Sequence, residues 1–257
     1  MATALTRARP PILMDLLAHK LRWQIVMALT ASDYRVQELI GLLKQPANLV
    51  SYHLKRLRQA RVVRERRSSA DGRDIYYSLD VDKLRALYLA SGEALHPALT
   101  ESAPQTQTQA AARKPIRILF LCTHNSARSQ MAEALTRYVG KGHIEAFSAG
   151  TEPSRVHPDA IKAMKKLGID ISGQRSKHLD EFRNQKFNYV ITVCDRAREM
   201  CPIFPGDPEQ IHWSFPDPTA EQNAAKREQL FMDTATQLMT RINYLVLMLE
   251  RDGETIR

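Results

Sequence analysis

The chain has 257 residues, 44% of them apolar, a formal net charge of +9 and three cysteines, Cys122, Cys194 and Cys201. That length suits two domains better than one, no apolar run reaches the length of a membrane span, and an odd, small cysteine count argues against a structural disulfide framework. The opening "MATALTRARPPILMDLLAHK" has no continuous apolar core followed by a cleavage site, which predicts no signal peptide, no membrane association and a cytoplasmic location. Charge is uneven. Residues 1–96 hold 16 Lys+Arg against 9 Asp+Glu, and residues 115–257 hold 19 against 18. The basic excess therefore belongs to the first segment and points to a polyanionic partner, nucleic acid first. Between them "PALTESAPQTQTQAAARK" has no apolar periodicity and reads as a flexible linker. The expected division is a domain over 1–96, a linker over 97–114 and a second domain over 115–257.

In chain order, residues 12–30 carry a dense apolar stripe and predict one or two helices. "YRVQELIGLLK", 34–44, is a second amphipathic segment, with Val36, Leu39, Ile40 and Leu43 on one face. After a break at "QPAN", "NLVSYHLKRLRQA" predicts a helix from about Asn48, taken as its N-cap. Val50, Leu54 and Leu57 form its inner stripe. Val62–Val63 and Ile75–Tyr77 flank "SSADGR", whose Asp71-Gly72 pair signals a hairpin turn. "VDKLRALYLASGEAL" adds a further helix. Helix, turn, helix and basic hairpin make a winged helix-turn-helix, mainly α with a β-hairpin wing. A helix of this kind enters the major groove and reads base edges with its first residues. The candidate DNA-binding residues are Asn48, Ser51, Tyr52, His53, Lys55 and Arg56 on the helix, with Arg66, Arg67 and Arg73 on the wing. Arg58, Arg61 and Arg64 add to the basic run, which would make binding strongly salt-dependent.

Over about residues 12–90 the segment resembles the ArsR/SmtB family of winged-helix repressors, chiefly in "LVSYHLKRLRQARVVRERRSSADGRDIYYSL". The resemblance implies a homodimer formed through the first and last helices and binding to double-stranded operator DNA. Many such proteins sense soft metals through thiolates, but residues 1–96 contain no cysteine, so this domain has no thiolate sensor of its own.

From Pro115 the pattern changes. "IRILFLC", "IEAFSAG" and "YVITVC" predict buried strands, separated by amphipathic helices at 129–139 and 158–168. A last helix is expected over about 219–250, with Thr219 and Gln222 as a capping box. Strands alternating with helices mean a parallel α/β sheet whose ligand site lies beyond the carboxyl ends of its strands. Cys122 and Cys194 both fall at such ends. "CTHNSARS" is a tight turn from strand into helix, where successive backbone N–H groups and the positive helix end can hold an anion. Thr123, His124, Asn125, Ser126, Ala127, Arg128 and Ser129 are the candidate oxyanion-binding residues, with Arg128 as a permanently charged clamp. The same field is expected to lower the Cys122 pKa, and Ser129 can donate to the thiolate.

"CTHNSARS" resembles the signature loop of low-molecular-weight protein tyrosine phosphatases, and "FPDP" resembles their general-acid loop. The C-terminal domain is thus expected to hold a four-stranded parallel sheet of that type. "VITVCDRAREMCPIFP" and "HWSFPDPT" resemble the thioredoxin-coupled arsenate reductase branch of the same fold, over about residues 115–250. The resemblance implies arsenate as substrate, Cys122 as nucleophile, Arg128 as oxyanion clamp and Asp217 as general acid. It further implies that Cys194 and Cys201 carry a disulfide relay outward to thioredoxin, with no bound cofactor and no metal. Asn125, Glu133 and Ser148 match the positions that brace the loop, and that bind potassium in some relatives. Here Arg175 and Lys177 stand where such relatives carry Thr and Asp, so no potassium site is expected and Lys177 is expected to supply the charge. His124 replaces the commoner glycine. Were "CDRAREMC" one continuous helix, its cysteines would lie about 10.5 Å apart along the axis, whereas a disulfide needs roughly 4.4–6.8 Å between Cα atoms; the last bridge therefore requires this segment to be non-helical or to unwind. Two alternatives remain at this point: a phosphatase fused to a regulator, and a non-enzymatic repressor that binds arsenite through its three thiols.

Overall fold

The structure, a computed structural model, describes residues 10–70, 72–96 and 115–255, with side chains through 249. The expected linker, 97–114, and Asp71 of the expected hairpin turn lie outside the described residues. The chain forms two compact units, one reaching Arg67 and resuming at Arg73, the other holding everything described from Pro115 on.

The first unit opens with helices α1 (Ile12–Leu17) and α2 (Lys20–Ala31), then a short strand β1 (Tyr34–Arg35), α3 (Val36–Leu43) and α4 (Ala47–Gln59). Strands β2 (Val63–Arg67) and β3 (Ile75–Leu79) follow, then α5 (Val81–Leu95). The strands form an antiparallel sheet in the order β1-β3-β2, with Arg66 opposite Tyr76 and Arg67 opposite Ile75. Ile25, Leu39, Val50, Leu54, Leu57 and Val62 are fully buried at its centre. Apolar side chains recurring at three and four residues place one face of each helix inward. One expectation needs correction. The recognition helix starts at Ala47 with Pro46 as its N-cap, so Asn48 lies inside the first turn and caps nothing. Within the amphipathic segment 34–44 the helix begins at Val36, because Tyr34 and Arg35 pair with Tyr77 and Tyr76. The turn into α3 is then fixed by the Arg35 N–H donating to Glu38, 2.7 Å away.

The second unit alternates β4 (Ile116–Cys122), α6 (Arg128–Gly140), β5 (Ile144–Gly150), α7 (Pro158–Lys166), β6 (Tyr189–Thr192), α8 (Asp195–Glu199), β7 (Glu209–His212) and α9 (Ala224–Thr255). All four strands are parallel, in the order β5-β4-β6-β7. Strand order reverses at β4, which has β5 on one side and β6 on the other. A crevice opens at such a switch point, outside the carboxyl ends of the strands. β4 ends there on Cys122, and the chain leaving β6 reaches Cys194 two residues later. Ile118, Leu119, Phe120, Met131, Leu135, Phe231, Leu238 and Ile242 fill the core between sheet and helices. The expected capping box at Thr219 and Gln222 does not form. Residues Pro218–Ala220 make a 3-10 turn capped by Asp217, and α9 begins only at Ala224. Among the described residues, no helix is long and apolar enough to cross a membrane.

Candidate active site

The loop from Cys122 to Ser129 closes on the cysteine sulfur. The Asn125 N–H donates to Cys122 Sγ at 3.1 Å, and Ser129 Oγ lies 2.9 Å from it. Asn125 adopts a left-handed φ of 44°, a conformation that asparagine tolerates better than most residues. Its amide holds the turn: Nδ2 donates to Ser129 Oγ at 2.8 Å and to Ser148 Oγ at 2.9 Å. Its Oδ1 accepts from Gln130 Nε2 at 2.9 Å and from the Lys177 N–H at 2.7 Å. Ser148 in turn donates to the buried carboxylate of Glu133. Lys177 Nζ sits 3.0 Å from that carboxylate and Arg137 2.6 Å from it. The structure thus brings Asn125, Ser148 and Glu133 together, with two side-chain cations balancing the one carboxylate.

Arg128 is buried, its guanidinium donating to the Phe215 carbonyl at 3.1 Å and to Asp217 Oδ2 at 2.8 Å. Burial pushes the Asp217 carboxyl up, but Arg128, the Thr219 hydrogen bonds and His124 outweigh it and leave the carboxyl below its ordinary range. For Cys122 the balance runs the other way. Burial and the neighbouring Cys194 push the thiol up, and Arg128 and Ser129 only partly offset them. The expected lowered pKa is therefore not found in this state. The reason is chiefly burial: the sulfur is shut away from water, and the Arg128 charge does not make up that loss.

His124 is exposed, with Nδ1 3.1 Å from the Glu152 carbonyl. Thr123 Oγ1 reaches across the crevice to Cys194 Sγ at 3.5 Å. All three cysteines are free thiols; Cys122 and Cys194 are buried, and Cys201 lies partly buried just past the short helix α8. Burial pushes Cys201 up to about 11.

Several residues of the site are not visible in the sequence pattern. Gly150, at the end of β5, has no room for a side chain: a Cβ there would lie 2.5 Å from the Thr123 carbonyl and 2.8 Å from the Asn125 N–H nitrogen. Gln130 Nε2 and Ser176 Oγ both donate to the Asn125 carbonyl. Asp195 and His212 form a buried pair next to Cys194. His212 could not have been placed there from sequence, because its strand β7 is short and half exposed.

On the first unit, Asn48, Ser51, Tyr52, Lys55 and Arg56 share the exposed face of α4. His53 does not. It is 5% exposed, with its ring 4.1 Å from that of His19, so it packs inward and is not a DNA-reading residue. On the wing, Arg67 and Arg73 are exposed and Arg66 is half buried. Arg58 is paired with Glu65, and Arg64 with Asp80 at 2.5 Å, which reduces what these two add to the basic face.

Residues 117–255, more than half of the chain, match the sequence model for low molecular weight phosphotyrosine protein phosphatase. The chain belongs to that family. Residues 19–65 match the model for bacterial regulatory protein, arsR family, so an arsR-type helix-turn-helix domain precedes the phosphatase-type one. An arsenate reductase of Halalkalibacterium halodurans is 42% identical over 127 residues, 49% of this chain and 91% of that protein. An arsenate reductase of Bacillus subtilis is 40% identical over 114 residues, 44% of this chain and 82% of that protein. A solved structure described as an arsenate reductase in oxidized state is 34% identical, with a TM-score of 0.45, covering 51% of this chain and 96% of that one.

Proposed function

We propose that this chain reduces arsenate to arsenite with the thiols of Cys122, Cys194 and Cys201, and that the arsR-type unit in the same polypeptide binds operator DNA. The observation that carries the reading is the meeting of a loop-held nucleophile with a second buried thiol: Cys122 Sγ is held by Asn125 and Ser129, and Cys194 lies across from it on Thr123. A phosphatase needs one cysteine and water. Moving two electrons onto arsenic needs further thiols, and this chain has two beyond Cys122, at Cys194 and Cys201.

The chemistry follows from the contacts. Arsenate in the loop draws the Arg128 guanidinium toward its oxygens. Asp217 then loses its cationic partner and gains an anionic neighbour, and both changes raise its pKa, so the carboxyl can take up a proton and deliver it to the departing oxygen. Cys122 attacks arsenic and water leaves. Cys194 attacks the Cys122 sulfur, the sulfur–arsenic bonding pair stays on arsenic, and arsenite departs from a Cys122–Cys194 disulfide. Cys201 attacks Cys194 and frees Cys122. Thioredoxin reduces the final Cys194–Cys201 bridge. Such a cycle suits a reducing compartment, the cytoplasm.

The DNA unit is assigned residues 1–96, the linker 97–114 and the reductase unit 115–257. Ile12 and Met14 on α1, with Tyr88, Leu89 and Leu95 on α5, are exposed apolar side chains, which supports a homodimer through the first and last helices. Exposed Asn48, Ser51, Tyr52, Lys55 and Arg56 on α4 support contact with double-stranded DNA. The deciding experiment is arsenate-dependent NADPH oxidation by the purified chain with thioredoxin and thioredoxin reductase. No arsenate-dependent turnover, together with phosphotyrosine hydrolysis that survives alkylation of Cys194 and Cys201, would leave a phosphatase as the correct reading.

A further inference from the structure

Cys194 is held from both sides by groups the relay itself does not use. Upstream, the Val193 N–H donates to the Leu121 carbonyl at 2.8 Å, tying the chain to the last residues of β4. Downstream, the Asp195 carboxylate is fully buried and turned toward β7. Its Oδ1 accepts from His212 Nε2 at 3.2 Å and from Ser214 Oγ at 2.7 Å. A carboxylate only accepts, so the proton of the ring sits on Nε2. His212 Nδ1 lies 2.8 Å from Thr192 Oγ1, at the end of β6. The cluster joins the ends of β6 and β7 to the residue that immediately follows Cys194.

A buried carboxylate beside a buried imidazole is costly unless every partner is in place. Here the partners are in place, and the backbone they fix is that of the resolving cysteine. We propose that Asp195 and His212 are positioning residues for the resolving step: they hold Cys194 where its sulfur can reach the Cys122 adduct. The proposal rests on the arsenate-reductase reading of the site. In the step concerned, the Cys194 thiolate forms a bond to Cys122 Sγ, the bond between Cys122 and arsenic breaks with its pair retained by arsenic, and arsenic(V) becomes arsenic(III). Two thiols supply the two electrons. Such displacements depend steeply on approach, and a misplacement of about 1 Å costs on the order of a hundredfold in rate.

The contrast with Cys201 sharpens the assignment. Its backbone N–H has a 3.4 Å bond to the Arg198 carbonyl, and its thiol a 3.8 Å contact with the Pro202 carbonyl, both within its own segment. Met200 and Ile203 on either side are 56% and 94% exposed. The anchor thus acts on Cys194 alone, and the first chemical step at Cys122 should not depend on it.

The test uses the full chain with Cys201→Ser, which stops after one turnover, and measures Cys122–Cys194 disulfide formation by rapid quench and peptide mapping after arsenate is added. Alkylation of Cys122 by iodoacetamide is followed in parallel. Asp195→Ala should slow disulfide formation by on the order of tenfold or more and leave Cys122 alkylation at its parent rate. Asp195→Asn, which keeps one oxygen for His212 and Ser214 but sets an amide nitrogen where Oδ2 accepts, should recover part of the loss. Ser214→Ala, a milder change at the edge of the cluster, should slow the same step by a smaller factor. The proposal is overturned if Asp195→Ala forms the disulfide at the parent rate, if Cys122 alkylation falls in proportion, or if Asp195→Asn is as slow as Asp195→Ala. If the parent protein itself yields no arsenite from arsenate, the reductase reading has failed instead.

Discussion

Gly150→Ala is the smallest change with the largest expected effect on the reactive loop. The added Cβ would lie 2.5 Å from the Thr123 carbonyl oxygen and 2.8 Å from the Asn125 nitrogen. Ordinary van der Waals separation is near 3.5 Å, so the loop must withdraw by about 0.5–1 Å. Neither obstacle can rotate away, because both are backbone. Thr123 O also accepts from the Glu152 N–H at 2.9 Å, and Asn125 N is the donor to Cys122 Sγ. Overpacking of this kind costs about 1–3 kcal/mol, or about 2–4 °C in melting temperature per kcal/mol for a domain of this size. Displacing the nucleophile and its donor by that distance should lower kcat/KM for arsenate by roughly 10- to 100-fold. Loss of the Asn125 donor should also move the pH profile of Cys122 alkylation further upward, since a hydrogen bond to the thiolate favours it. Steady-state arsenate reduction, thermal unfolding and alkylation profiles report the three effects. A variant with kcat/KM within twofold of the parent and an unchanged alkylation profile would show that the loop does not need the space Gly150 leaves.

Four further outcomes are expected. Cys122→Ser should abolish arsenate reduction, and multiple turnovers in that variant would remove Cys122 as nucleophile. Cys201→Ser should release about one arsenite per site and accumulate the Cys122–Cys194 disulfide, because the remaining thiols hold electrons for one reduction; wild-type turnover with thioredoxin would break the three-cysteine relay. Replacing Arg66, Arg67 and Arg73 by Ala should weaken DNA binding and lower the slope of log affinity against log salt by about one for each phosphate no longer neutralised, with arsenate reduction retained; a salt titration that superimposes on the parent would mean the wing is off the DNA. Cys201 alkylation in the reduced protein should rise with pH toward a midpoint of about 11, since a raised pKa keeps the thiol protonated through neutral pH; a plateau already reached by pH 9 would contradict the buried placement.

What could be read from sequence was what contiguity carries. Cys122, Arg128 and Ser129 lie in one strand–loop–helix unit, so their meeting follows from local geometry alone. The apolar periods of α2 and α4 likewise define their inner faces, whereas α6 is buried on every side from Arg128 to Thr136. The misses arise where a partner is remote or a boundary is decided by competition. His53 sits beside the inner stripe of α4, and only the ring of His19 against it settles that it turns inward. Asn48 is a good capping residue, but the break at Pro46 sets the start of α4 two residues earlier. Thr219 has the spacing of a capping box with Gln222, whereas its N–H is taken by Asp217 at 3.0 Å. Gly150, Gln130 and Ser176 carry no motif; each matters because the loop passes close to it. The lowered pKa expected for Cys122 failed for the same kind of reason, since the sequence shows Arg128 but not how deeply the sulfur is buried or that Cys194 stands beside it.

The pairing of Arg128 with Asp217 would also order the proposed reaction. While the two are joined, the clamp is partly neutralised, the acid is held ionised and burial holds the Cys122 thiol above its ordinary value. An oxyanion that displaces Asp217 from Arg128 changes the first two conditions together: it engages the clamp and it raises the pKa of the acid. The proton from Cys122 must then go to the substrate oxygen or to Asp217 itself, because Ser129 and Asn125 only donate or share hydrogen bonds there. A similar restraint bears on the far end of the proposed relay. Cys194 stands at the N-cap of α8, Cys201 lies two residues beyond its last turn, and burial holds the Cys201 thiol near 11. At neutral pH only about one part in ten thousand of such a thiol is ionised, so the proposed attack on Cys194 should be slow while Cys201 keeps this partly buried position, and should speed up with any change that exposes its sulfur.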